Sequence, residues 1–152
     1  GADEGQPTLD RWSVDLASGK LHELRLDNRG QEFPRVDERV VGRPHRYGYA
    51  TTTSSGARPS GSLLKHDLVG KTSFERNFGP VAEAGEFVFH PRHPDAAEDD
   101  GVLMGYVYDK VTDRSDLVIL DAGNLEDIAR VHLPTRVPHG FHGNWIPTFH
   151  KV

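Results

Sequence analysis

The 152-residue chain contains no cysteine, a single methionine and no long apolar run. Without cysteine there can be no disulfide, thiolate zinc site, iron–sulfur cluster or cysteine nucleophile, so histidine and carboxylate side chains remain as strong metal ligands. The longest wholly apolar stretch of note runs from Leu117 to Leu120, far short of the ~20 residues that a membrane-spanning helix needs. We expect no transmembrane segment and a cytoplasmic location, with contact to a membrane surface left open.

Basic residues are also too few and too scattered to suggest a nucleic-acid partner. The chain has 18 Lys and Arg residues against 23 Asp and Glu residues, a formal net charge of −5 at pH 7. Because nucleic-acid binding depends on clustered positive charge, we expect no nucleic-acid partner. The Asp-, Glu- and Gly-rich residues 1–8 are expected to form a disordered or non-native terminus.

The residues that are abundant indicate an all-β fold. Sixteen glycines and ten prolines are spread along the chain and interrupt every stretch of helical periodicity. What recurs is a short strand-like run, a turn and a second run, which is the pattern of a β-hairpin. We predict hairpins over residues 11–26, 62–78 and 116–133, and further strands over 47–53, 86–90 and 101–108. Residues 125–128 are expected to form one helical turn.

The predicted hairpins recur at a regular interval. Each has an aspartate at its turn, and these aspartates, Asp15, Asp67 and Asp121, are 52 and 54 residues apart. A period of about 50 residues with several short strands is typical of β-propeller blades. A β-sandwich with similar turn spacing by chance is the alternative. We predict about three propeller blades over residues 9–152, which are incomplete on their own because a ring needs ~4 to 8 blades.

Three polar side chains occupy matching places after the turns. Glu32, Glu86 and His142 follow the three turn aspartates by 17, 19 and 21 residues, where each would begin the innermost strand of a blade and face the central axis. A carboxylate beside a metal-bound imidazole orients the ring. The spacing therefore suggests His142 as a metal ligand and the two glutamates as the groups that orient such ligands. A hydrogen-bonded polar core without metal is the alternative.

A series of short segments carries a further signal. They are EFPRVD (32–37), RYGY (46–49), GEFVFHPR (85–92), EDDG (98–101), SDLVILDA (115–122), ARV and LP (129–131 and 133–134), and VP and GFHG (137–138 and 140–143). In this order and spacing, from about Arg11 to Trp145, the chain resembles the C-terminal part of the carotenoid cleavage oxygenases. His139 is a departure, since the family more often has an aromatic residue there.

The resemblance implies a seven-bladed propeller in which four axial histidines hold a non-haem Fe(II) and glutamates bind three of those histidines. His142 resembles the last iron ligand, and Glu32 and Glu86 resemble two of the glutamates. Phe141 is the candidate for lining the substrate pocket. The implied reaction adds both atoms of O2 across a C=C bond of an apolar conjugated alkene, such as a carotenoid, an apocarotenoid or a stilbene, and yields two carbonyl products.

Three of the family's iron ligands belong to N-terminal blades that this chain would need as partners. We therefore expect the chain to be catalytically inactive alone. An isomerohydrolase relative would share every feature above, and a metal-free β interaction module is the rival from another class.

Two weaker metal hypotheses come from clustered side chains. The pairs His139/His142 and His90/His93 could be zinc half-sites, but residues three apart on a strand point to opposite faces, which favours loop histidines. The acidic run from Asp95 to Asp100 has no ordered calcium-ligand spacing and is expected to be a solvated loop.

Overall fold

Ten β-strands make up nearly all the regular structure in the computed structural model, which describes residues 5–53, 61–140 and 142–146. They are β1 (Leu9–Asp15), β2 (Lys20–Asp27), β3 (Gln31–Arg35), β4 (Tyr47–Thr52), β5 (Ser62–Asp67), β6 (Thr72–Asn77), β7 (Ala82–Pro91), β8 (Gly101–Asp109), β9 (Arg114–Asp121) and β10 (Asp127–His132). A short 3-10 helix, Glu38–Val40, follows β3. The fold is all-β, as predicted. Within the described ranges, no helix has the length and apolar character to cross a membrane.

The strands form three antiparallel sheets. β1 pairs with β2, while β3 to β6 and β7 to β10 form two four-stranded sheets in chain order. Each four-stranded sheet is a meander, the arrangement found in a propeller blade. The predicted hairpins and additional strands are all present with small shifts at their ends, except that β7 begins four residues before the predicted strand. The predicted helical turn is wrong, because Leu125 has a φ of 63° and the chain enters β10 at Asp127.

Each predicted turn aspartate stabilises its own turn. Oδ1 of Asp15, Asp67 and Asp121 accepts hydrogen bonds from the backbone N–H groups two and three residues further on, at 2.7 to 3.4 Å. Asp109, between β8 and β9, makes the same contacts. These side chains satisfy N–H groups that the turns leave without strand partners, which is why aspartate favours such positions.

One hydrophobic core joins the two four-stranded sheets. It includes Tyr49 and Leu63 of the first sheet and Phe87, Phe89 and Leu103 of the second. The rings of Tyr49 and Phe89 stack with centroids 6.1 Å apart. β7 contacts β3, β4 and β5, so this core places the first strands of the two sheets next to each other.

Candidate functional site

Both glutamates predicted for the site lie at irregularities in strand pairing. The β7–β8 ladder is interrupted between Ala84 and Phe87, and the β3–β4 ladder between Glu32 and Arg35. A bulge bends its strand and re-aims the side chains around it. Glu32 is the second residue of β3, whereas Glu86 is the fifth of β7. The prediction that each residue begins a strand is therefore wrong for Glu86, and it is wrong for His142 as well, because His142 lies in no strand.

The bulge in β7 depends on a close approach by β8. A Cβ atom added at Gly105 would lie 2.6 Å from Cδ2 of Phe87 and 2.8 Å from the carbonyl oxygen of Glu86. Only glycine leaves room for this packing, since Cβ atoms almost never come so near to other heavy atoms. Gly105 thus allows Phe87 to enter the core while Glu86 faces the site.

Glu86 binds the C-terminal segment through both carboxylate oxygens. Oε1 lies 3.2 Å from Nδ1 of His142, and Oε2 accepts the backbone N–H of Gly143 at 2.7 Å. The guanidinium group of Arg35 lies 3.6 Å from Oε1. The Glu86 side chain is 5% exposed, and a carboxylate so buried needs donors and positive charge around it. His142 and Gly143 provide the donors, and Arg35 provides the positive charge.

The contact with Glu86 determines which nitrogen of His142 is available. A neutral imidazole that donates Nδ1–H to a carboxylate has its acceptor lone pair on Nε2. The His142 side chain is 74% exposed, and the ring of Phe33 meets it edge-on with centroids 5.9 Å apart. His142 therefore presents one oriented nitrogen donor on an accessible side chain.

Glu32, Glu86 and His142 line a single cavity of about 740 Å³. The three predicted side chains are thus brought together rather than spread over unrelated surfaces. The Glu32 side chain is exposed, and within the described residues no hydrogen bond or ion pair involves it. Apolar and aromatic side chains line the cavity as well, among them Val88, Met104, Tyr106, Leu117 and Val137. Phe141 lies outside the described residues.

His142 and Glu86 together fit one ligand position of a metal centre that is bound by histidines. Among residues 5–53, 61–140 and 142–146, no three His, Asp or Glu side chains are grouped closely enough to hold a metal ion. His142 offers Nε2, and a metal-bound histidine commonly gives its other N–H to a carboxylate, which is the position of Glu86. The remaining ligands of such a centre would have to come from elsewhere.

A second histidine–glutamate pair lies beside the first and was missed in the sequence. Nε2 of His139 is 3.2 Å from Oε2 of Glu83, whose Oε1 is 2.6 Å from Nζ of Lys110. His139 and His142 thus bind different glutamates, which gives no support to a shared zinc ion. The sequence did contain a signal for this second pair, because the two histidines are three residues apart and so are Glu83 and Glu86.

The acidic run before β8 is not a freely solvated loop. Glu98 accepts hydrogen bonds from the backbone N–H groups of Arg46 and Tyr47. Asp99 binds Lys65, and Asp100 binds Arg92 at the other end of the loop. Glu98 and Asp99 hold the end of the loop against β4 and β5, whereas Asp95 is exposed, so the expectation of a solvated loop is wrong for its second half.

Comparison with known proteins shows which family the chain is similar to. The family described as retinal pigment epithelial membrane protein matches residues 2–147. A carotenoid cleavage oxygenase of Mycobacterium tuberculosis is 46% identical over 151 residues, covering 95% of this chain and 30% of that protein. The apocarotenoid-15,15'-oxygenase of Synechocystis is 40% identical over 150 residues, covering 96% of this chain and 30% of that protein.

A relative named for a different substrate and a solved structure agree with these matches. Lignostilbene-alpha,beta-dioxygenase isozyme III of Sphingomonas paucimobilis is 40% identical over 156 residues, covering 92% of this chain and 32% of that protein. The crystal structure of cobalt-substituted Synechocystis ACO superposes with a TM-score of 0.89 at 37% identity, over 96% of this chain and 31% of that one. The chain therefore spans less than a third of each of these proteins.

Proposed function

Because this chain belongs to the retinal pigment epithelial membrane protein family, that of the carotenoid cleavage oxygenases, we propose that it is part of a non-haem Fe(II) dioxygenase. The whole protein would cleave a C=C bond of a carotenoid, apocarotenoid or stilbene-like substrate with O2 and release two carbonyl products. The observation that carries this proposal is the contact of the buried Glu86 carboxylate with both His142 and Gly143.

In this proposal His142 is an iron ligand through Nε2. Glu86 keeps the ring in one orientation and raises the basicity of Nε2 by accepting Nδ1–H. The hydrogen bond from Gly143 to Glu86 fixes the backbone next to the imidazole. When bound by neutral imidazoles, Fe(II) supplies open coordination positions for O2 and the redox chemistry of the cleavage.

Glu32 would orient another iron-ligand histidine in the same way, one supplied by the rest of the whole protein. It lines the same cavity as Glu86, lies at the corresponding strand irregularity of its sheet, and its exposed carboxylate is available to a further partner. The apolar wall of the cavity supports an extended hydrocarbon as substrate, since ligand pockets bind mainly through apolar surface. Phe141 is proposed to extend that wall.

In this proposal the three sheets are parts of a larger propeller. The sheets β3–β6 and β7–β10 would be two blades of a seven-bladed propeller, and β1–β2 would be part of a third. The remaining blades would supply three histidines, so the chain alone would be inactive. A metal-free β interaction module is the competing function.

The test uses the full-length protein that contains this chain. We expect the purified protein to bind one iron and to cleave an apocarotenoid or a lignostilbene, with label from ¹⁸O₂ in both carbonyl products. His142→Ala should lose iron and activity together. His132→Ala is the matched control, because His132 is an exposed histidine whose carboxylate partner, Asp116, is not one of the glutamates of the site. A wild-type protein that binds no iron would support the interaction module, and isomerised product without label would support the isomerohydrolase relative.

A further inference from the structure

The segment that leads to His142 is attached to the β7–β10 sheet at several separate points. We call residues 133–140 and 142–143 the C-terminal strap. These residues belong to no strand, so their position depends on contacts with the sheet below rather than on a ladder of their own.

Ser115 holds the first part of the strap. Its carbonyl oxygen accepts the N–H of Leu133, and its hydroxyl oxygen accepts the N–H of Val137, both at 3.0 Å. Ser115 is 1% exposed, and a buried hydroxyl group without a partner is costly. The strap satisfies that hydroxyl group, which makes the contact specific in position.

Glu83 and Tyr108 hold the middle of the strap. Glu83 binds Nε2 of His139, and the ring of Tyr108 meets that imidazole edge-on with centroids 5.6 Å apart. The guanidinium carbon of Arg136 lies 5.0 Å from the centre of the Tyr108 ring. Tyr108 is directly opposite Ser115 in the β8–β9 ladder, so these contacts form one continuous attachment area.

His142 itself has little packing to hold it. Its side chain is largely exposed, and its contacts within the described ranges are Glu86 and the edge of Phe33. Besides these two contacts, its position depends on where the rest of the strap is attached. Gly143 is fixed by Glu86, and the upstream side is fixed by the contacts of Ser115 and Glu83.

We propose that Ser115 and Glu83 are positioning residues for His142. This inference rests on the proposed function, in which His142 binds a metal and Glu86 orients its ring. It assigns the placement of the segment before that ligand to two residues that do not contact His142. Preorganised ligands bind more tightly because less ordering remains to be done on binding. Loss of either attachment leaves the strap with fewer contacts upstream of His142.

The experiment measures Co(II) binding to the metal-free full-length protein. Ser115→Ala removes the acceptor for Val137, and Glu83→Ala removes the partner of His139. Each should weaken Co(II) binding about tenfold, as changes behind a metal ligand commonly do, and should alter the visible absorption spectrum of the bound Co(II). Glu83→Gln keeps acceptor oxygen on the side chain and should restore most of the affinity.

Matched controls separate positioning from general stability. Ser62→Ala removes another buried serine hydroxyl, which accepts from Asn77, and Glu75→Ala removes another glutamate, which pairs with Arg29. Neither touches the strap, so both should bind Co(II) like the wild type. Glu83 is partly exposed, and its variants should fold even where Ser115→Ala does not.

The possible failures are distinguishable. If the wild type binds no Co(II), the proposed function falls and this inference falls with it. If the wild type binds Co(II) and the Glu83→Ala and Ser115→Ala proteins share its affinity and spectrum, the inference is wrong and the proposed function stands. Equal loss in the Ser62→Ala control would also overturn it.

Discussion

Lys65 and Asp99 form a buried ion pair that joins β5 to the loop before β8. Nζ of Lys65 lies 2.6 Å from Oδ2 of Asp99 and donates to the carbonyl oxygen of Gly123 at 2.8 Å. The Lys65 side chain is 3% exposed, whereas Asp99 is 25% exposed. The ammonium group also lies over the ring of Tyr47 at 4.4 Å.

The two halves of this pair should respond differently to mutation. Asp99→Ala leaves a buried ammonium group without its counter-charge, and we expect the free energy of unfolding to fall by about 3 to 5 kcal/mol. Lys65→Met removes the charge but keeps much of the side-chain volume, and the partly exposed Asp99 can be hydrated, so the loss should be smaller. Urea unfolding of both variants checks this, and equal losses would contradict it.

His66 should make stability depend on pH. The imidazole is buried, with Nε2 2.8 Å from Oε1 of Gln31. Burial lowers the pKa of His66 below its ordinary value of 6.5, against the opposing charge of Asp27 and with a smaller contribution from Arg29. The unfolded chain therefore takes up a proton first as the pH falls, and stability should decrease below about pH 6.5.

The measurement is a comparison of unfolding at about pH 7.5 and pH 5. The wild type should lose more stability between these values than His66→Gln, because glutamine does not titrate. The carboxylates are common to both proteins, so the difference isolates His66. A parallel decrease in the two proteins would show that His66 does not contribute.

Substitution of Gly105 should disturb both the core and the site. In Gly105→Ala the new methyl group meets Phe87 and the carbonyl oxygen of Glu86, and overpacking of this kind costs about 1 to 3 kcal/mol. Gly48 on β4 is the matched control, since its nearest neighbour to an added Cβ is 3.8 Å away. Thermal unfolding should show a clear decrease in Tm for Gly105→Ala and little change for Gly48→Ala.

The turn aspartates should not be equivalent. Hydrogen bonds from Arg46 hold the pKa of Asp67 far below its ordinary value, with help from the N–H groups of the turn. Ser18 and the turn N–H groups lower the pKa of Asp15, which has no such arginine partner among the described residues. Asp67→Asn should therefore lower the Tm more than Asp15→Asn at neutral pH.

The difference between these two variants should itself depend on pH. A carboxyl group with a lowered pKa stabilises the fold above its ordinary pKa of 3.8, and that contribution is lost as the pH falls below it. The difference in Tm between wild type and Asp67→Asn should narrow steadily between about pH 4 and pH 2. A gap of the same size at about pH 7 and at pH 2 would mean that packing rather than charge is responsible.

Local patterns predicted much of this fold. The hairpins were visible because alternating strands and aspartate turns involve neighbouring residues. The repeat aligned Glu32, Glu86 and His142, which line one cavity, but it did not indicate which glutamate contacts His142. Buried polar residues on strands were not visible: Lys65, His66 and Ser115 are residue types that are usually exposed, and their partners lie far along the chain. The full length of β7 was missed because Gly85 and the bulge break the alternation that marks a strand.

The bulge in β7 has a consequence for how sequences of this kind can diverge. Gly85 and Glu86 stand outside the ladder, so the stretch before them and the core residues after them do not share one continuous register. A one-residue insertion or deletion upstream of Gly85 could be absorbed there without rotating Phe87 and Phe89 out of the interior. The segment before the bulge and the core residues after it, such as Phe87 and Phe89, can therefore change independently during evolution.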